Sequence, residues 1–262
     1  MHRSSAGKNM ATIRILGPID VVAETGTIAI SGRHERMLLG GLAVSVNRAV
    51  RFDDLAQILW GDEPPHSRDN ALQTSVSRLR AVVGHDRISA EDHSYILTGT
   101  ASDLDSLAFE ALVAEAVFRR KDPERCLDVC KKATELWRGV PFGDFADEDP
   151  FRLEVIRLDE LRLCAIELQM ESELAVSNEE LVAGTLEGLV SQYPYRERIW
   201  RLLIIALALD GRRVEALRAC QELRSVLGDV GLGPTGEIEA LEDRILADHA
   251  DLRLTLSRGH DI

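Results

Sequence analysis

The sequence has few aromatic residues, no paired cysteine motif and no long apolar run. Phe, Trp and Tyr make up 5% of its 262 residues, and the four cysteines stand singly, at Cys126, Cys130, Cys164 and Cys220. No apolar stretch approaches the roughly 20 residues that a membrane helix needs. The polar opening segment has no signal-type apolar core, so nothing indicates a disulfide-forming compartment. These absences predict a cytoplasmic protein with reduced thiols and no membrane partner.

Positive charge is also scarce, and the charge is unevenly distributed. The chain carries 31 Lys and Arg against 44 Asp and Glu, a formal net charge of -13. Phosphate binding draws on clustered Lys and Arg, so this average argues against a polyanionic partner. However, residues 1–100 carry 11 basic and 11 acidic side chains, whereas residues 101–262 carry 20 and 33. The neutral first part can therefore still display a basic face.

Three patterns that resemble chemical sites have simpler explanations. Cys126 and Cys130 would share a helix face, which fits a metal site or core packing, but nothing completes a tetrahedral ligand set. Residues 231–236 spell GLGPTG, yet a helix precedes them and Pro234 removes a donor, which favours a turn over a nucleotide loop. An acidic run fits a cation site or a solvated loop and comprises Asp144, Asp147, Glu148 and Asp149. We predict no catalytic residue, metal, cofactor or enzymatic activity, because no nucleophile stands beside a base.

The first hundred residues change between strand and helix patterns. Residues 12–22 alternate around the Gly17-Pro18 break, which predicts two short strands, and residues 27–31 add a third. Helical spacing predicts three helices, at about 34–47, 53–60 and 68–83. Asp53 is the expected N-cap of the second helix. A hairpin of residues 88–89 and 95–98 completes the element order of a winged helix-turn-helix of the response-regulator type.

The third predicted helix has two different faces. At 100° per residue, an apolar stripe is formed by Leu72, Val76, Leu79 and Val83. The opposite face and its edges are polar and carry Asn70, Gln73, Thr74, Ser77, Arg78 and Arg80. Asn, Gln and Arg side chains can pair bidentately with base edges in a major groove. The pattern therefore fits a DNA-reading helix, although an ordinary solvated face has the same polarity.

From Leu104 onward the pattern is helical throughout. The predicted helices are 104–119, 123–137, 151–173, 178–192, 196–210, 213–228 and 235–250. Between residues 178 and 228 they form two-helix units of about 34 residues, the style of a degenerate tetratricopeptide array. Such arrays bind partners. The fold class predicted for the whole chain is mainly α, with a winged helix followed by an all-α TPR-like array.

Five segments together resemble one family. They are ILGPIDV, LAQILWGDEPP, NALQTSVSRLRAVVG, ATELWRGVPFGDF and YPYRERIWRLLIIALALDGRRVEALRACQELRSVLGDVGLGP. In their order and spacing they resemble the SARP/AfsR-type bacterial transcriptional regulators, which join an OmpR-like winged helix to a bacterial transcriptional activation domain. The expected organisation is a disordered tail at 1–11, a DNA-binding domain at 12–99, an activation domain at 103–250 and a tail at 251–262.

The resemblance implies a sequence-specific regulator that binds direct repeats as a dimer or higher oligomer and contacts the sigma subunit of RNA polymerase. It assigns base contacts to Asn70, Gln73, Thr74, Ser77 and Arg78. It assigns phosphate contacts to Arg33 and Arg80, which would set register and affinity more than sequence preference. Trp60 with the loop Gly61, Asp62 and Glu63 matches a polymerase-contact segment, although a packed Trp beside a plain loop would look the same.

The wing departs from the family pattern. Ser94 stands where relatives usually carry a glycine before the wing tyrosine, and Glu91-Asp92-His93 precedes it. Two carboxylates would repel a DNA backbone, so we expect at most phosphate contacts from His93 or Tyr95 and weak binding by one copy. An interaction scaffold whose winged helix no longer reads DNA is the alternative to an activator.

Overall fold

The computed structural model describes residues 11–176 and 179–247. The predicted tails lie outside these residues, apart from Ala11, which is buried. The chain forms two compact units, one of residues 1–113 and 132–162 and the other of residues 114–131 and 163–262. Over the described residues, no helix has the length and apolar content needed to cross a membrane.

The first unit begins with a three-stranded antiparallel sheet. Strands β1 (Thr12–Arg14), β2 (Asp20–Ala23) and β3 (Gly26–Ile28) lie in that order, so each strand pairs with its neighbour in sequence. The alternating apolar residues of the first two strands are buried, including Ile13 and Val21, as period-two alternation predicts. The third strand starts earlier than predicted, because Gly26, at φ +113, already pairs with Ala23 across a two-residue turn.

Three helices follow, and their bounds are close to the predicted ones. They are α1 (Arg33–Val44), α2 (Phe52–Trp60) and α3 (Arg68–Val83), and the third matches its prediction at both ends. Asp53 as N-cap of α2 was wrong, since Arg51 occupies the cap and Asp53 lies inside the first turn, near the positive end of the helix dipole. Asn47 lies beyond α1 and exchanges two hydrogen bonds with the Gly99 backbone.

The hairpin after α3 is part of a second sheet. Strands β5 (Ile88–Glu91) and β6 (Ser94–Leu97) pair across the two-residue turn Asp92-His93, and both turn residues have positive φ, as in a type I′ hairpin. A short strand that sequence patterns did not indicate, β4 (Val50–Arg51), pairs with β6. The sheet order β4-β6-β5 therefore ties the wing to the start of α2.

The first unit extends well beyond residue 99. Helix α4 (Asp105–Phe118) starts at a buried carboxylate, and Asp105 accepts hydrogen bonds from the backbone N–H groups of Ile15 and Leu16 at 2.8 and 3.0 Å. The backbone N–H groups of Arg138 and Phe142 donate to the carbonyls of Leu16 and Ile15. This compact unit therefore runs past the predicted domain boundary, because β1 and the turn after it take backbone partners more than 80 residues away.

An aromatic cluster supplies part of the core of the same unit. Its rings are Phe142, Phe145 and Phe151, with ring centroids 4.9 Å apart for the closest pair. All three side chains are buried. A Cβ at Gly40, in the middle of α1, would lie 2.8 Å from Cε1 of Phe151, so the helix approaches the ring because that residue is glycine.

The second unit is helical across its described residues. It contains parts of α4, α5 (Pro123–Glu135) and α6 (Phe151–Ala175), followed by α7 (Glu179–Gln192), α8 (Glu197–Leu209), α9 (Arg213–Gly228) and α10 (Gly236–Leu246). Helix α8 packs against both α7 and α9, and its residues 199–207 are all buried. That placement explains why its sequence is apolar on nearly every side.

Small side chains and thiols are buried in the second unit. Ala216, Ala219 and Cys220 on α9 are buried in the core that α9 shares with α8. Cys126 and Cys130 are fully buried thiols. Among the described residues, no three His, Cys, Asp or Glu side chains are grouped to hold a metal ion. Residues 229–235 connect α9 to α10, so the GLGPTG segment follows a helix, as predicted.

Candidate nucleic-acid interface

The outer face of α3 presents all five residues for which base contacts were predicted. Asn70, Gln73, Thr74, Ser77 and Arg78 are exposed. The opposite stripe is buried, with Leu72 at 0% and Leu79 at 1% exposure. The helix is therefore fixed to the core along one side while its polar side stays open. The hydroxyl of Thr74 donates to the Asn70 carbonyl at 2.7 Å, so this side chain offers its methyl group and a lone pair outward.

Two arginines flank this face, and each is held by a contact within the first unit. On one flank, Nη1 of Arg78 donates to Oε1 of Glu35, on α1, at 2.8 Å. On the other, Nε of Arg80 donates to the Ile88 carbonyl at 2.9 Å, which ties α3 to the wing. Arg80, predicted as a phosphate contact, thus also has a structural role, while Arg78 keeps 69% of its side chain exposed.

Arg33, the other predicted phosphate contact, has an acidic partner. Its Nη2 pairs with Oε1 of Glu148, and its guanidinium carbon lies 4.9 Å from the ring centroid of Phe145. Glu148 belongs to the acidic run that sequence analysis described as a cation site or a solvated loop. The structure shows that one of its carboxylates neutralises Arg33. The side chain of Arg33 is nevertheless 57% exposed and remains accessible.

The wing contributes one exposed and one buried candidate. His93 is exposed in the hairpin turn, and its carbonyl accepts the Phe52 N–H at 2.8 Å. Tyr95 is only 8% exposed, and burial raises the pKa of its hydroxyl, an effect that nearby Arg80 opposes. The predicted phosphate contact of Tyr95 is therefore not supported, because the side chain packs under the wing.

A cleft of about 590 Å³ lies between the wing turn and the starts of α2 and α3. Two arginines line this cleft, Arg51 and Arg68, and neither was predicted as a site residue. Arg51 has 76% of its side chain exposed, and Arg68 pairs with Asp53 at 3.1 Å. Periodicity could not have found them, because Arg51 lies in the two-residue strand β4 and Arg68 meets Asp53 only in the folded chain.

The predicted polymerase-contact segment is an exposed corner. Trp60 ends α2 and is half-buried, and its ring meets His34 edge-on with centroids 6.1 Å apart. Gly61 follows at φ +56, which turns the chain, and Asp62 and Glu63 are exposed. The tryptophan is thus neither free nor fully in the core, and two carboxylates stand beside it.

Comparison with known proteins gives consistent matches. Residues 104–246 match the family described as bacterial transcriptional activator domain. The chain is 30% identical to the regulatory protein AfsR of Streptomyces griseus over 91% of its own length, but spans only 25% of that longer protein. It is 30% identical to the regulatory protein DnrI of Streptomyces peucetius, over 89% of this chain and 91% of that one.

A solved structure extends the match to the fold. It is Mycobacterium tuberculosis EmbR in complex with a low-affinity phosphopeptide, with a TM-score of 0.87 and 26% identity, over 94% of this chain and 68% of that one. The likeness confirms a winged helix joined to a helical array. The chain belongs to the SARP/AfsR-type family of bacterial transcriptional regulators.

Proposed function

We propose that this protein is a sequence-specific DNA-binding transcriptional activator and not an enzyme. Residues 12–99 form its DNA-binding domain and residues 103–250 its activation domain. The observation that carries the proposal is the outer face of α3, where five exposed polar side chains stand opposite a buried stripe. An exposed helix face with Asn, Gln and Arg fits the major groove and can read base edges.

The remaining contacts follow from the same placement. Arg33 and His93 are proposed to contact phosphates, and Arg80 to support the wing as well. The corner from Trp60 to Glu63 is proposed to contact the sigma subunit of RNA polymerase. Binding to direct repeats near a promoter, as a dimer or higher oligomer, compensates for a DNA-binding region that has no net positive charge. A chromosome-binding regulator of this kind acts in the cytoplasm.

Genomic footprinting tests the proposal. The wild-type protein is expected to protect reproducible sites that contain two direct repeats, and Gln73→Ala is expected to weaken or shift that set. Gln221→Ala is the matched control, because Gln221 is an exposed glutamine on α9. The absence of reproducible sites would contradict sequence-specific binding, and equal footprints for both variants would show that Gln73 does not contact bases. Tight binding to one repeat at physiological salt would contradict the oligomer.

One observation favours the alternative of a protein-interaction scaffold. Arg33 and Arg78, two of the predicted DNA contacts, are both paired with glutamates. A winged helix that had lost its DNA function could keep such pairs for stability alone. The footprinting result separates the two readings, since a scaffold protects no reproducible sites.

The pair of Arg33 with Glu148 yields a further prediction about affinity. Glu148→Gln is expected to raise affinity for DNA about two- to fivefold at low salt, because it frees a cation and removes a nearby negative charge. Asp147→Asn removes a charge from the same run without breaking the pair and is the control. A shift assay with both variants checks the effect. Equal affinities for the two variants would show that Arg33 does not contact phosphate.

A further inference from the structure

Arg78 has a fixed partner that lies outside the proposed reading face. Glu35 stands on α1, 43 residues earlier in the chain, and its carboxylate accepts the Arg78 Nη1 hydrogen bond at 2.8 Å. The two side chains differ greatly in exposure, at 11% for Glu35 and 69% for Arg78. The carboxylate is thus the buried, immobile member of the pair, and the guanidinium is the member that extends toward solvent.

The position of Glu35 keeps its carboxylate charged. Burial raises its pKa, but the hydrogen bond from Arg78, a bond from its own backbone N–H and the nearby His34 together lower it below the ordinary value. The residue also lies in the first turn of α1, where the helix dipole favours negative charge. A charged acceptor therefore stands at a fixed point beside the reading helix.

Gly32 makes room for this carboxylate. A Cβ at position 32 would lie 1.7 Å from Oε2 and 2.7 Å from Cδ of Glu35, an impossible overlap. The backbone of Gly32, at φ -86 and ψ 134, is open to any residue, so its conformation does not require glycine. Any side chain here would displace Glu35 from its present position.

Among the described residues that line the groove beside Glu35, Arg78 is the one with a charged side chain. A groove of about 510 Å³ lies beside the pair, and the other described residues that line it are uncharged: Ala29, Ile30, Ser31, Gly32, Leu79 and Val82. His34, on the same helix, is the other nearby group that acts on the carboxylate. The pairing with Arg78 is therefore specific to this place in the fold.

We propose that Glu35 is a positioning residue that sets the orientation of the Arg78 guanidinium for base reading, with Gly32 providing the space that Glu35 occupies. This inference rests on the proposed DNA-binding function. The guanidinium is planar and carries five N–H donors in a fixed arrangement. When one N–H of the Arg78 guanidinium is bound to Glu35, the plane of the group is restricted, and so are the directions of its other N–H donors. A bidentate contact to guanine needs two of these donors directed at the base edge.

The test measures discrimination between bases, which a purely structural role would not change at one position. Wild type, Glu35→Ala, Glu35→Gln and Gly32→Ala are assayed against the footprinted operator and all its single base-pair variants. The base pair read by Arg78 is the one at which Arg78→Lys relaxes preference. We expect Glu35→Ala, which removes the acceptor, to reduce discrimination at that base pair about tenfold and to leave the other positions unchanged. Glu35→Gln should lose less, because its amide oxygen can still accept from Arg78.

The controls separate this effect from charge and stability. Glu24→Gln removes the same charge from an exposed turn between β2 and β3 and should leave every preference unchanged. Gly32→Ala should relax the same base pair as Glu35→Ala, because the added methyl displaces the carboxylate. Chemical unfolding of each variant shows whether it is folded at the assay temperature.

The possible results separate failure of the proposed role of Glu35 from failure of the proposed DNA-binding function. If wild type discriminates between bases but Glu35→Ala keeps full discrimination at the Arg78 position, the inference is overturned while the DNA-binding proposal stands. A uniform loss of affinity at all positions with a lower unfolding midpoint likewise assigns Glu35 to stability and overturns the inference. If wild type shows no preference at any position, sequence-specific binding itself fails.

Discussion

Replacing Arg78 by alanine is expected to weaken binding to the operator by about tenfold to hundredfold and to relax sequence preference at one base pair. A bidentate arginine contact to guanine contributes about 1–3 kcal/mol of discrimination. Arg78 is the one arginine on the exposed face of α3 whose side chain is mostly open to solvent, at 69%. Loss of this side chain removes both the proposed base contact and one positive charge.

Two comparisons isolate the base contact. Arg125→Ala removes an equally exposed arginine, also at 69%, from α5 and should change operator affinity by less than about threefold. Arg78→Lys keeps the charge but loses the planar fork, so it should bind random DNA as wild type does and still lose discrimination. Titration of operator and random DNA at two salt concentrations provides the measurement. If Arg78→Ala lost equal affinity for operator and random DNA, Arg78 would be a phosphate contact and not a base contact.

Replacing Asp105 by alanine is expected to lower the free energy of unfolding of the first unit by about 2–5 kcal/mol. The carboxylate is 4% exposed and accepts two backbone N–H groups, from Ile15 and Leu16. Each buried donor left without an acceptor costs about 1–3 kcal/mol. Burial raises the pKa of Asp105, and these two N–H groups and Arg138 oppose that rise without cancelling it.

Urea unfolding measures this loss. Asp105→Asn keeps one carbonyl acceptor and should be intermediate, since its amide group faces the second N–H without accepting from it. Asp128→Ala, at an exposed position on α5, is the control and should change stability by less than about 0.5 kcal/mol. An Asp105→Ala variant as stable as that control would mean that water replaces the carboxylate at no cost.

The features with a local sequence signal were predicted well. The bounds of α3 and α9 agree at both ends, because apolar spacing, Pro64-Pro65 and glycines at the helix ends all mark them. The polar face of α3 also follows from spacing alone, since its opposite stripe had to be buried. Helix periodicity is a short-range property, so it can be recognised in the sequence without knowledge of the tertiary fold.

The features that depend on distant partners were not predicted. Nothing near Arg78 or Arg33 in sequence indicates that Glu35 and Glu148 would pair with them, across 43 and 115 residues. The two-residue strand β4 is too short for an alternation pattern and exists because β6 pairs with it. The burial of Tyr95 likewise follows from the sheet that β4 and β6 form together. Such contacts are set by tertiary packing, which residue patterns do not encode locally.

The close approach of Gly40 to Phe151 has a consequence for how this protein can be recombined with its relatives. A chimera joined near residue 100 would bring a foreign α1 against the native aromatic cluster, and any side chain larger than hydrogen at position 40 would collide with the ring. A chimera designed to exchange DNA specificity should therefore include residues 132–162 with the winged helix. Alternatively, only the residues on the outer face of α3 can be exchanged. The unit that contains the winged helix is discontinuous in sequence, although it is compact in space.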